Sequence, residues 1–544
     1  MSLNKFSKLF EELDSNNSIN KKINSLTKYF KSSSNLNNIL TIYLLIGKRN
    51  KRFISGKSLR EYYADIYKMP IWLIETCYAK VGDSAEVISL LLQDNLLKKD
   101  IKEDISLDQL LNKILPNLSK LEEPQKKSQI KLLWEKTTND NQLIFNKILT
   151  GSFRIGVSKG LVTKAISNMV GIDESIILHR LMGDFDPIEE TYIFLINEKL
   201  EQKELTYKPY PFQLANTFDE KIKETTSINQ YQFESKWDGI RSQIIKRSNN
   251  ISIWTRGEEL VNKTFPELIK IISDFKNDFV LDGEILIWDE IKNCPKEFSL
   301  LQKRLGRKSP SAKIQKDLPV VFIAYDILEI NGNDIRSKVL SERRKILEEK
   351  FYNPISEDQN NNSRKIKITK LLKIKNWEEL EEAKNSARNI KTEGLVIKNK
   401  NSKYLPGRKK GNWWKYKVDP MQLDGVLIYA KPGSGKRADL YTDYSFAIWE
   451  ENKLVKFANA YSGLNNEEIK ELDKWIRKNT LEKYGPVRSV KPELVFEISF
   501  DNIQISKRHK SGIALRFPRI TRWRKDKNIK DADSLENAKR MIRN

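Results

Sequence analysis

The chain has 544 residues, more than one hydrophobic core usually organises, so its length predicts roughly two to four domains. Hydrophobic residues make up 39% and charged residues 31%, which is typical of folded, soluble proteins and excludes a disordered chain. The 97 lysines and arginines outnumber the 73 aspartates and glutamates, giving a net charge of +24. This excess favours a polyanionic partner, either nucleic acid or an anionic membrane surface.

The small numbers of cysteines and histidines limit the kinds of catalytic or metal site that the chain can form. Cys77 and Cys294 are the only cysteines, which excludes a disulfide scaffold and a four-cysteine zinc site. His179 and His509 are the only histidines, which argues against a histidine triad or a histidine metal cluster. Any catalysis must therefore use Lys, Arg, Asp and Glu, a set that suits an intracellular protein handling phosphates.

The membrane alternative is not supported by the pattern of apolar residues. The most apolar stretches, such as residues 319–325, are far shorter than the roughly 20 residues that a spanning helix needs. Near the N-terminus, Phe6, Leu9, Phe10 and Leu13 recur at helical spacing between acidic residues. This pattern predicts an ordinary amphipathic helix and not a secretory signal.

The first part of the chain, residues 1–205, is predicted to be an all-α domain. Apolar residues recur every three or four positions between Lys and Glu at residues 39–45, 71–81, 85–96 and 129–148. Pro209 and Pro211, with the polar stretch before them, mark its end.

The middle part, residues 206–420, is predicted to be an α+β domain. Short strands are expected at residues 231–234, 240–246, 251–255, 279–288 and 320–328, with helices at 341–349 and 377–390. The Asn-rich residues 353–364 lack apolar periodicity and are expected to form a surface loop. In residues 421–544, strand-like runs at 425–429, 445–449 and 494–498 suit a small β-barrel.

The stretch ESKWDGIR at residues 234–241 is the most informative local motif. Lys236 is followed by Asp-Gly directly after a predicted strand, so it is expected on a turn where Gly239 relieves backbone strain. A lysine nucleophile must be neutral, yet at its ordinary pKa of about 10.4 only about one in a thousand is neutral near pH ~7.4. Arg241, Arg256 and a metal ion would disfavour the ammonium form and activate the amine. By itself the motif is equally compatible with a solvated hairpin lysine.

Further motifs follow in order along the chain. They are TRG at 255–257 with FPEL at 265–268, LDGE at 281–284, AYDI at 324–327, TEGLVIK at 392–398 and WWKYK at 413–417. With the K-x-D-G of Lys236, this series resembles the ATP-dependent DNA ligases of the covalent nucleotidyltransferase superfamily. A single acid such as Glu284 or Glu393 is more simply explained by a surface ion pair, whereas six motifs in the family's order are not.

The resemblance implies the nucleotide site. Lys236 falls on the family's adenylated lysine, and Glu234 on the acid that reads the adenine amino group. Tyr325 falls on the aromatic residue that stacks on adenine, where many relatives have Phe; both rings present a flat face. Glu284 would hold the ribose or a metal-bound water.

The resemblance also implies how phosphates and metal are held. Arg256 would face the ribose and phosphates, Arg241 would also belong to the nucleotide site, and Lys415 and Lys417 would bind phosphate. Glu284 and Glu393 would bind Mg²⁺. Six residues before Lys415 the family commonly has Arg, and this chain has Lys409, which keeps the charge but loses the planar fork.

The basic stretch RFPRITRWRKDK at residues 516–527 resembles the last ligase motif. By this resemblance the C-terminal barrel is an OB-fold that turns on a hinge near Asp424 and brings Arg524 and Lys527 onto the β- and γ-phosphates of ATP. The nearby GSGKR at residues 433–437 is similar to a P-loop, but Ala430 replaces the first glycine and Arg437 the metal-binding Ser or Thr. It is therefore predicted to be a basic turn near DNA.

In the helical part, residues 151–158, with Leu161 and Ala165, resemble a stretch of the DNA-binding domain of larger ATP-dependent ligases. Backbone amides at such a helix start could hold a DNA phosphate. A loop entering a core helix explains the same glycines and apolar residues.

The resulting expectation is a multidomain DNA ligase with a helical DNA-binding domain (1–205), an α+β, ATP-grasp-like nucleotidyltransferase domain (206–420) and an OB-fold domain (421–544). It would use ATP and Mg²⁺ to seal nicked double-stranded DNA in replication, repair or recombination. We expect a monomer without membrane association, cytoplasmic and nucleoid-associated if prokaryotic. An RNA ligase, a capping-type nucleotidyltransferase and a catalytically inactive nucleic-acid-binding protein are the alternatives.

Overall fold

The structure is a computed structural model of the whole chain. It describes residues 3–47, 52–95, 105–151, 153, 155–197, 207–307, 309–351 and 365–542. The loop predicted at residues 353–364 lies outside these residues, as do Ser152 and Arg154 of the segment that resembles a DNA-binding stretch.

The described residues up to 197 are mostly helical, as their apolar spacing predicts. The helices are α1 Leu3–Asp14, α2 Ile19–Ser32, α3 Asn35–Leu45, α4 Gly56–Tyr67, α5 Ile71–Val81, α6 Ser84–Asn95, α7 Leu115–Leu118 (preceded by a π-helical turn, Gln109–Ile114), α8 Glu123–Lys136, α9 Asn139–Thr150, α10 Lys159–Val170, α11 Glu174–Arg180 and α12 Glu189–Ile196. In the described part of the chain, no helix is long and apolar enough to cross a membrane.

The prediction of one continuous helix over residues 129–148 is wrong. The chain breaks between α8 and α9 at Thr137 and Thr138, both of which have extended backbone angles. Two consecutive β-branched residues with hydroxyls that compete for backbone hydrogen bonds weaken a helix at this point. The Thr137 hydroxyl donates to the Leu133 carbonyl, and the Gln142 side chain donates to the Trp134 carbonyl across the break.

The middle part contains strands where alternating or continuous apolar runs predict them. The strands are β1 Gln213–Leu214, β2 Asn216–Thr217, β3 Tyr231–Ser235, β4 Ile240–Arg247, β5 Asn250–Thr255, β6 Phe279–Asp289, β7 Cys294–Pro295, β8 Val320–Ile330, β9 Asn333–Asp334, β10 Ile366–Ile368, β11 Gly394–Asn399, β12 Gly407–Arg408 and β13 Trp413–Lys417. Helices interleave with them: α13 Ile222–Thr225, α14 Pro266–Ser273, α15 Phe298–Leu305, α16 Ala312–Asp317, α17 Leu340–Phe351 and α18 Trp377–Ser386.

These strands build two main sheets in the described region. One has the order β10-β8-β6-β4-β5, extended by β7 on β6 and β9 on β8; the other has the order β2-β13-β11-β3. In the larger sheet, one face of β4, β6 and β8 packs Ile244, Leu281, Ile285 and Phe322 into a buried core. Because side chains alternate along a strand, the polar residues of the same strands share the opposite face.

The C-terminal part is a β domain with a single long helix. Its strands are β14 Met421–Pro432, β15 Tyr441–Glu450, β16 Lys453–Ala460, β17 Thr480–Tyr484, β18 Val487–Val490, β19 Val495–Phe500, β20 Asn502–Ile505, β21 Ile513–Arg516 and β22 Arg519–Trp523; its helices are α19 Asn466–Lys478 and α20 Leu535–Arg540. The sheet order is β16-β15-β14-β18-β17, with β19 pairing to both β14 and β22. The OB-fold identity of this β domain stays a prediction.

The stretch at residues 433–437 is a turn between β14 and β15 that includes one 3₁₀ turn, Gly435–Arg437. A phosphate-binding P-loop requires a strand, a loop and a helix in that order. The structure therefore confirms that this stretch is not a P-loop.

The chain packs as two compact units. One is drawn from the described residues within Met1–Asn16, Arg49–Gly156 and Asp419–Asn544, and the other from those within Asn17–Lys48 and Val157–Val418. The helices before residue 205 are therefore shared between the units. The domain boundaries at residues 205 and 420 stay predictions.

Candidate active site

Lys236 lies at the end of β3, held against β11 by backbone hydrogen bonds. Its N–H donates to the Gly394 carbonyl over 2.8 Å, and the Glu393 N–H donates to the Lys236 carbonyl over 2.9 Å. This pairing places the two side chains together, with Lys236 Nζ 2.5 Å from Glu393 Oε2. Lys417 Nζ lies 3.6 Å from the same carboxylate oxygen. The strand register thus joins residues 157 positions apart into one charged cluster.

Gly239 is required for close packing and not, as the sequence suggested, to relieve backbone strain. The φ angle of Gly239 is not positive, so its backbone is not in the left-handed region that favours glycine. A Cβ atom at this position would lie 2.3 Å from the Ile285 carbonyl oxygen and 2.8 Å from Glu284 Cγ. Only glycine lets the turn after Lys236 approach β6 this closely.

The polar face of the larger sheet carries Arg241 and two acids. Arg241 on β4 pairs with Glu284 on β6, and its guanidinium binds Asp282 through Nη2–Oδ2 at 2.7 Å and Nε–Oδ1 at 3.2 Å. The Tyr404 hydroxyl donates to the same Asp282 carboxylate over 2.7 Å. Asp282, whose side chain is fully buried, thus fixes the orientation of Arg241.

The carboxyl group of Glu284 has a raised pKa. Burial raises its pKa to about 8, and the opposing attraction of Lys236 and Arg241 only partly offsets this. Near neutral pH the acid is therefore largely protonated. A cation bound beside it would favour its ionised form.

A second group of side chains surrounds Glu234. Both of its oxygens accept hydrogen bonds, Oε1 from Gln232 at 2.8 Å and Oε2 from Lys398 at 2.7 Å. Lys398 lies 4.6 Å from the Tyr325 ring centre and 4.4 Å from that of Trp413. The structure thus brings the acid and the aromatic ring predicted to bind adenine to the same buried lysine, which is 1% exposed.

Positive charges collect on the smaller sheet. Lys415 and Lys417 are two residues apart on β13, so they share one face. Burial lowers the pKa of Lys415, and the charges of Lys417, Arg408, Lys236 and Arg256 lower it further. These neighbouring positive charges repel one another, and a bound anion would relieve that repulsion. The cluster is therefore suited to bind an anion.

Lys409 has different surroundings from those expected. It interacts electrostatically with Asp173, while its neighbour Arg408 is among the charges that act on Lys415. The charge of Arg408 therefore acts on Lys415, although motif spacing does not single out this arginine.

Arg524 and Lys527 belong to the other compact unit. Both bind Asp424 on β14, with Arg524 Nη1 at 3.1 Å and Lys527 Nζ at 2.6 Å from Asp424 Oδ2. Arg524 also binds Asp526 at 2.7 Å. The two cations of the last motif therefore share one carboxylate in the strand where the hinge is predicted.

In the helical part, Gly156 has a positive φ of 62° and Ser158 caps the start of α10. The Ser158 side chain accepts the Leu161 N–H over 3.4 Å. Ala165 is fully buried, as a core position of a helix requires.

Sequence reasoning assigns no roles to Asp282, Lys398 and Trp413, although each lies inside a quoted motif. Asp282 and Trp413 could have been found by position, because each lies two residues along its strand from a residue with an assigned role, Glu284 or Lys415; Lys398 has no such signal. Buried polar residues on strands are unusual enough to mark a site once burial is known.

Comparison with known families accounts for most of the chain. The family described as DNA ligase N terminus matches residues 2–167, the ATP dependent DNA ligase domain matches 212–417, and the ATP dependent DNA ligase C terminal region matches 437–527. A probable DNA ligase of Koribacter versatilis is 33% identical over 416 residues, which cover 73% of this chain and 71% of the relative. This chain belongs to the ATP-dependent DNA ligase family.

Other ligases agree with this membership. A DNA ligase of Thermococcus fumicolans is 25% identical over 512 residues, covering 91% of this chain and 90% of the relative. A solved structure titled Pmar-Lig_Pre has a TM-score of 0.61 and 15% identity, covering 95% of this chain and 99% of its own, which shows a shared fold. Membership of the DNA ligases decides against the RNA-ligase and capping alternatives.

Proposed function

We propose that this ligase seals nicks in duplex DNA through a lysyl-AMP intermediate on Lys236. The Lys236 amine forms a bond to the α-phosphorus of ATP as the bond to pyrophosphate breaks, and the amine proton is lost. The 5′-phosphate at the nick then displaces lysine from AMP, and the 3′-hydroxyl finally displaces AMP and joins the strand. Each step is an in-line phosphoryl transfer that depends on positioning and charge neutralisation.

The observation that carries this proposal is the arrangement around Lys236. Glu393 binds the Lys236 amine at 2.5 Å and lies 3.6 Å from Lys417 on β13, while Lys398 joins Glu234 to the Tyr325 ring. The acid holds the amine in place, and the cations suit the phosphates of ATP. No histidine is required for this chemistry.

Adenine would enter between Tyr325 and the Glu234–Lys398 pair. Lys398 orients Glu234 through their 2.7 Å ion pair, because a buried carboxylate needs a hydrogen-bonding partner. Glu234 can then accept a hydrogen bond from the exocyclic amine of adenine, while the Tyr325 ring supplies a stacking face. Arg241, fixed by Asp282, would face the ribose and phosphates.

Glu284 and Glu393 are the residues that would hold Mg²⁺. Among the described residues no group of three or more His, Cys, Asp or Glu side chains forms a metal site. Mg²⁺ fits this composition because it is commonly bound by one or two carboxylates together with substrate phosphates. When bound, it would neutralise charge on the α-phosphate.

The phosphates of ATP would contact Arg256, Lys415 and Lys417, with Arg408 or Lys409 providing the charge that relatives supply with Arg. Arg524 and Lys527 would hold the pyrophosphate leaving group in the first step. To do so, they must exchange their common partner Asp424 for phosphate oxygens.

The helical residues and the β domain would grip nicked duplex DNA, with the start of α10 beside a phosphate. We propose that the ligase acts as a monomer in replication, repair or recombination. The excess of 24 positive charges favours association with a polyanion.

Joining assays test this function directly. With ATP and Mg²⁺, the full chain should join a nicked DNA duplex and accumulate a 5′-adenylated strand when the 3′-hydroxyl is missing. Preference for a nick in an all-RNA duplex, or for GTP over ATP, would contradict the proposal.

A further inference from the structure

One face of the C-terminal β domain carries aromatic and basic side chains that the proposed ligase reaction does not use. Strand pairing sets Tyr429 opposite Ser445, and Ser445 opposite Asn459. Lys431 is opposite Asp443 on the neighbouring row. These side chains line a groove of about 490 Å³ together with Lys456, Tyr461, Tyr484 and Val487.

The alternation of the strands shows that this face points outward. Tyr444 and Ala460, which alternate with groove residues along β15 and β16, are at most 2% exposed and belong to the domain core. By contrast, the side chains of Tyr461 and Tyr484 are 75% and 57% exposed. Large aromatic residues with that exposure add little to the stability of the fold, so they are available to a partner.

The chemistry of the groove selects the kind of partner. Lys431 forms an ion pair with Asp443 at 2.8 Å, and Lys456 is exposed beside it. Flat rings beside lysines are the pattern by which proteins hold single-stranded nucleic acid, because bases stack on the rings while phosphates contact the cations. In a continuous duplex, the neighbouring base pairs already cover both faces of each base.

We propose that this face, the tyrosine groove, binds an unpaired nucleic-acid strand, with bases stacked on Tyr461 and Tyr484 and phosphates beside Lys431 and Lys456. The tyrosine groove would give the ligase a grip on a single-stranded segment next to the duplex that it joins. This inference concerns a site separate from Lys236 and does not depend on the adenylation chemistry.

Fluorescence anisotropy of a labelled oligodeoxythymidylate with the full chain tests the proposal. Tyr461→Leu and Tyr484→Leu should each weaken binding about tenfold, because each removes one stacking ring. Tyr461→Phe should bind like the wild type, since the ring remains. Tyr207→Leu changes a tyrosine of similar exposure outside the groove and serves as the matched control.

Two parallel measurements separate this site from others. Binding to an end-capped, unnicked duplex and formation of the Lys236 adduct should be unchanged in both leucine variants. A labelled oligouridylate distinguishes RNA from DNA, and stronger binding of either single strand than of the capped duplex supports the groove. Equal losses for strand and duplex would overturn the proposal, as would an unchanged affinity for the single strand.

A cross-linking experiment needs no variant. An oligodeoxythymidylate containing 4-thiothymidine, irradiated with the wild-type chain, should attach to peptides that contain Tyr429, Tyr461 or Tyr484. Attachment confined to peptides outside residues 421–490 would also overturn the proposal.

Discussion

At the scale of single residues, the contacts of Lys236 and the protonation of Glu284 are central. The Lys236 amine forms a 2.5 Å ion pair with Glu393, so it must leave this carboxylate before it can attack phosphorus. Once Glu393 instead holds a cation, the amine loses its partner and faces the positive cluster of β13. The acid that holds the lysine can therefore release it when substrate binds.

The pKa of about 8 for Glu284 gives a pH-dependent prediction. Below that pH the acid is increasingly protonated and holds a cation weakly, so the Mg²⁺ concentration for half-maximal adenylation should rise by up to about tenfold per pH unit lost. Glu284→Gln should need more Mg²⁺ at pH values near 8, with a weaker dependence on pH. Parallel profiles for wild type and variant would show that Glu284 does not hold the metal.

Sequence and structure differ most at this scale. The ordered motifs are enough to single out Lys236, Glu284 and Glu393, because chain order alone carries the resemblance. The pairing of Lys398 with Glu234 depends on the register between β3 and β11, which no spacing in the sequence specifies. For the same reason, motif spacing points to Lys409, whereas in the structure the charge of Arg408 acts on Lys415.

At the scale of elements, close approach to β6 fixes the turn that follows Lys236. Gly239→Ala would place a methyl group 2.3 Å from the Ile285 carbonyl, so the turn after Lys236 must move. We expect a stability loss of about 1–3 kcal/mol and a marked fall in the rate of adenylation. Thermal unfolding and single-turnover adenylation measure the two effects.

Gly257→Ala is the matched control for that change. Its added Cβ would meet its nearest neighbour, Thr255 Oγ1, at an ordinary 3.6 Å. Similar losses in both variants would mean that alanine at either glycine acts through backbone freedom and not through the close approach to β6.

The basic motif at residues 516–527 is expected to act in only one reaction step, the adenylation of Lys236. Replacing Arg524 and Lys527 by Ala should slow adenylation strongly, since each charge-assisted hydrogen bond to pyrophosphate contributes roughly 1.5–3 kcal/mol. Sealing of a nick that already carries 5′-AMP should fall much less, because that substrate has no triphosphate. Single-turnover assays on both substrates compare the steps.

Lys525→Ala provides the control, because this lysine of the same motif is exposed and binds Glu471. Equal losses in the two assays for the double variant would assign Arg524 and Lys527 to DNA binding or folding.

Most elements could be located from the sequence because they are strongly patterned. The helix α5 matches its predicted span of residues 71–81, and β4, β6 and β8 contain the spans predicted for them. Helix ends within polar stretches are less clear: the pattern of α8 continues into α9, and only the local chemistry of Thr137 and Thr138 separates them. Short strands such as β1 and β2 carry too few residues to show a period.

At the scale of the whole molecule, the proposed nucleotide site is supported by residues from more than one part of the sequence. All the pocket residues from Glu234 to Lys417 lie in one unit, which also includes helices α2, α3 and α10 to α12. Lys159 at the start of α10 forms an ion pair with Glu258, and Gly183 packs against the Trp254 ring. The helical part therefore contributes to the stability of the nucleotidyltransferase fold.

Deleting residues 1–205 should accordingly lower the melting temperature while leaving adenylation of Lys236 detectable. Binding of nicked duplex should weaken, and the log–log dependence of affinity on salt should flatten by about 0.9 for each DNA phosphate that the shortened chain no longer neutralises. Differential scanning calorimetry and a salt titration of nick binding measure these effects. Unchanged nick binding across the titration would remove DNA binding from the helical part.

Mapping the AMP adduct tests the central claim most directly. The full chain, incubated with ATP and Mg²⁺ and digested, should carry one AMP on the peptide that contains Lys236, and Lys236→Arg should carry none while keeping the wild-type melting temperature. An adduct on another lysine, or an equal adduct on the folded variant, would contradict the assignment of Lys236 as the nucleophile.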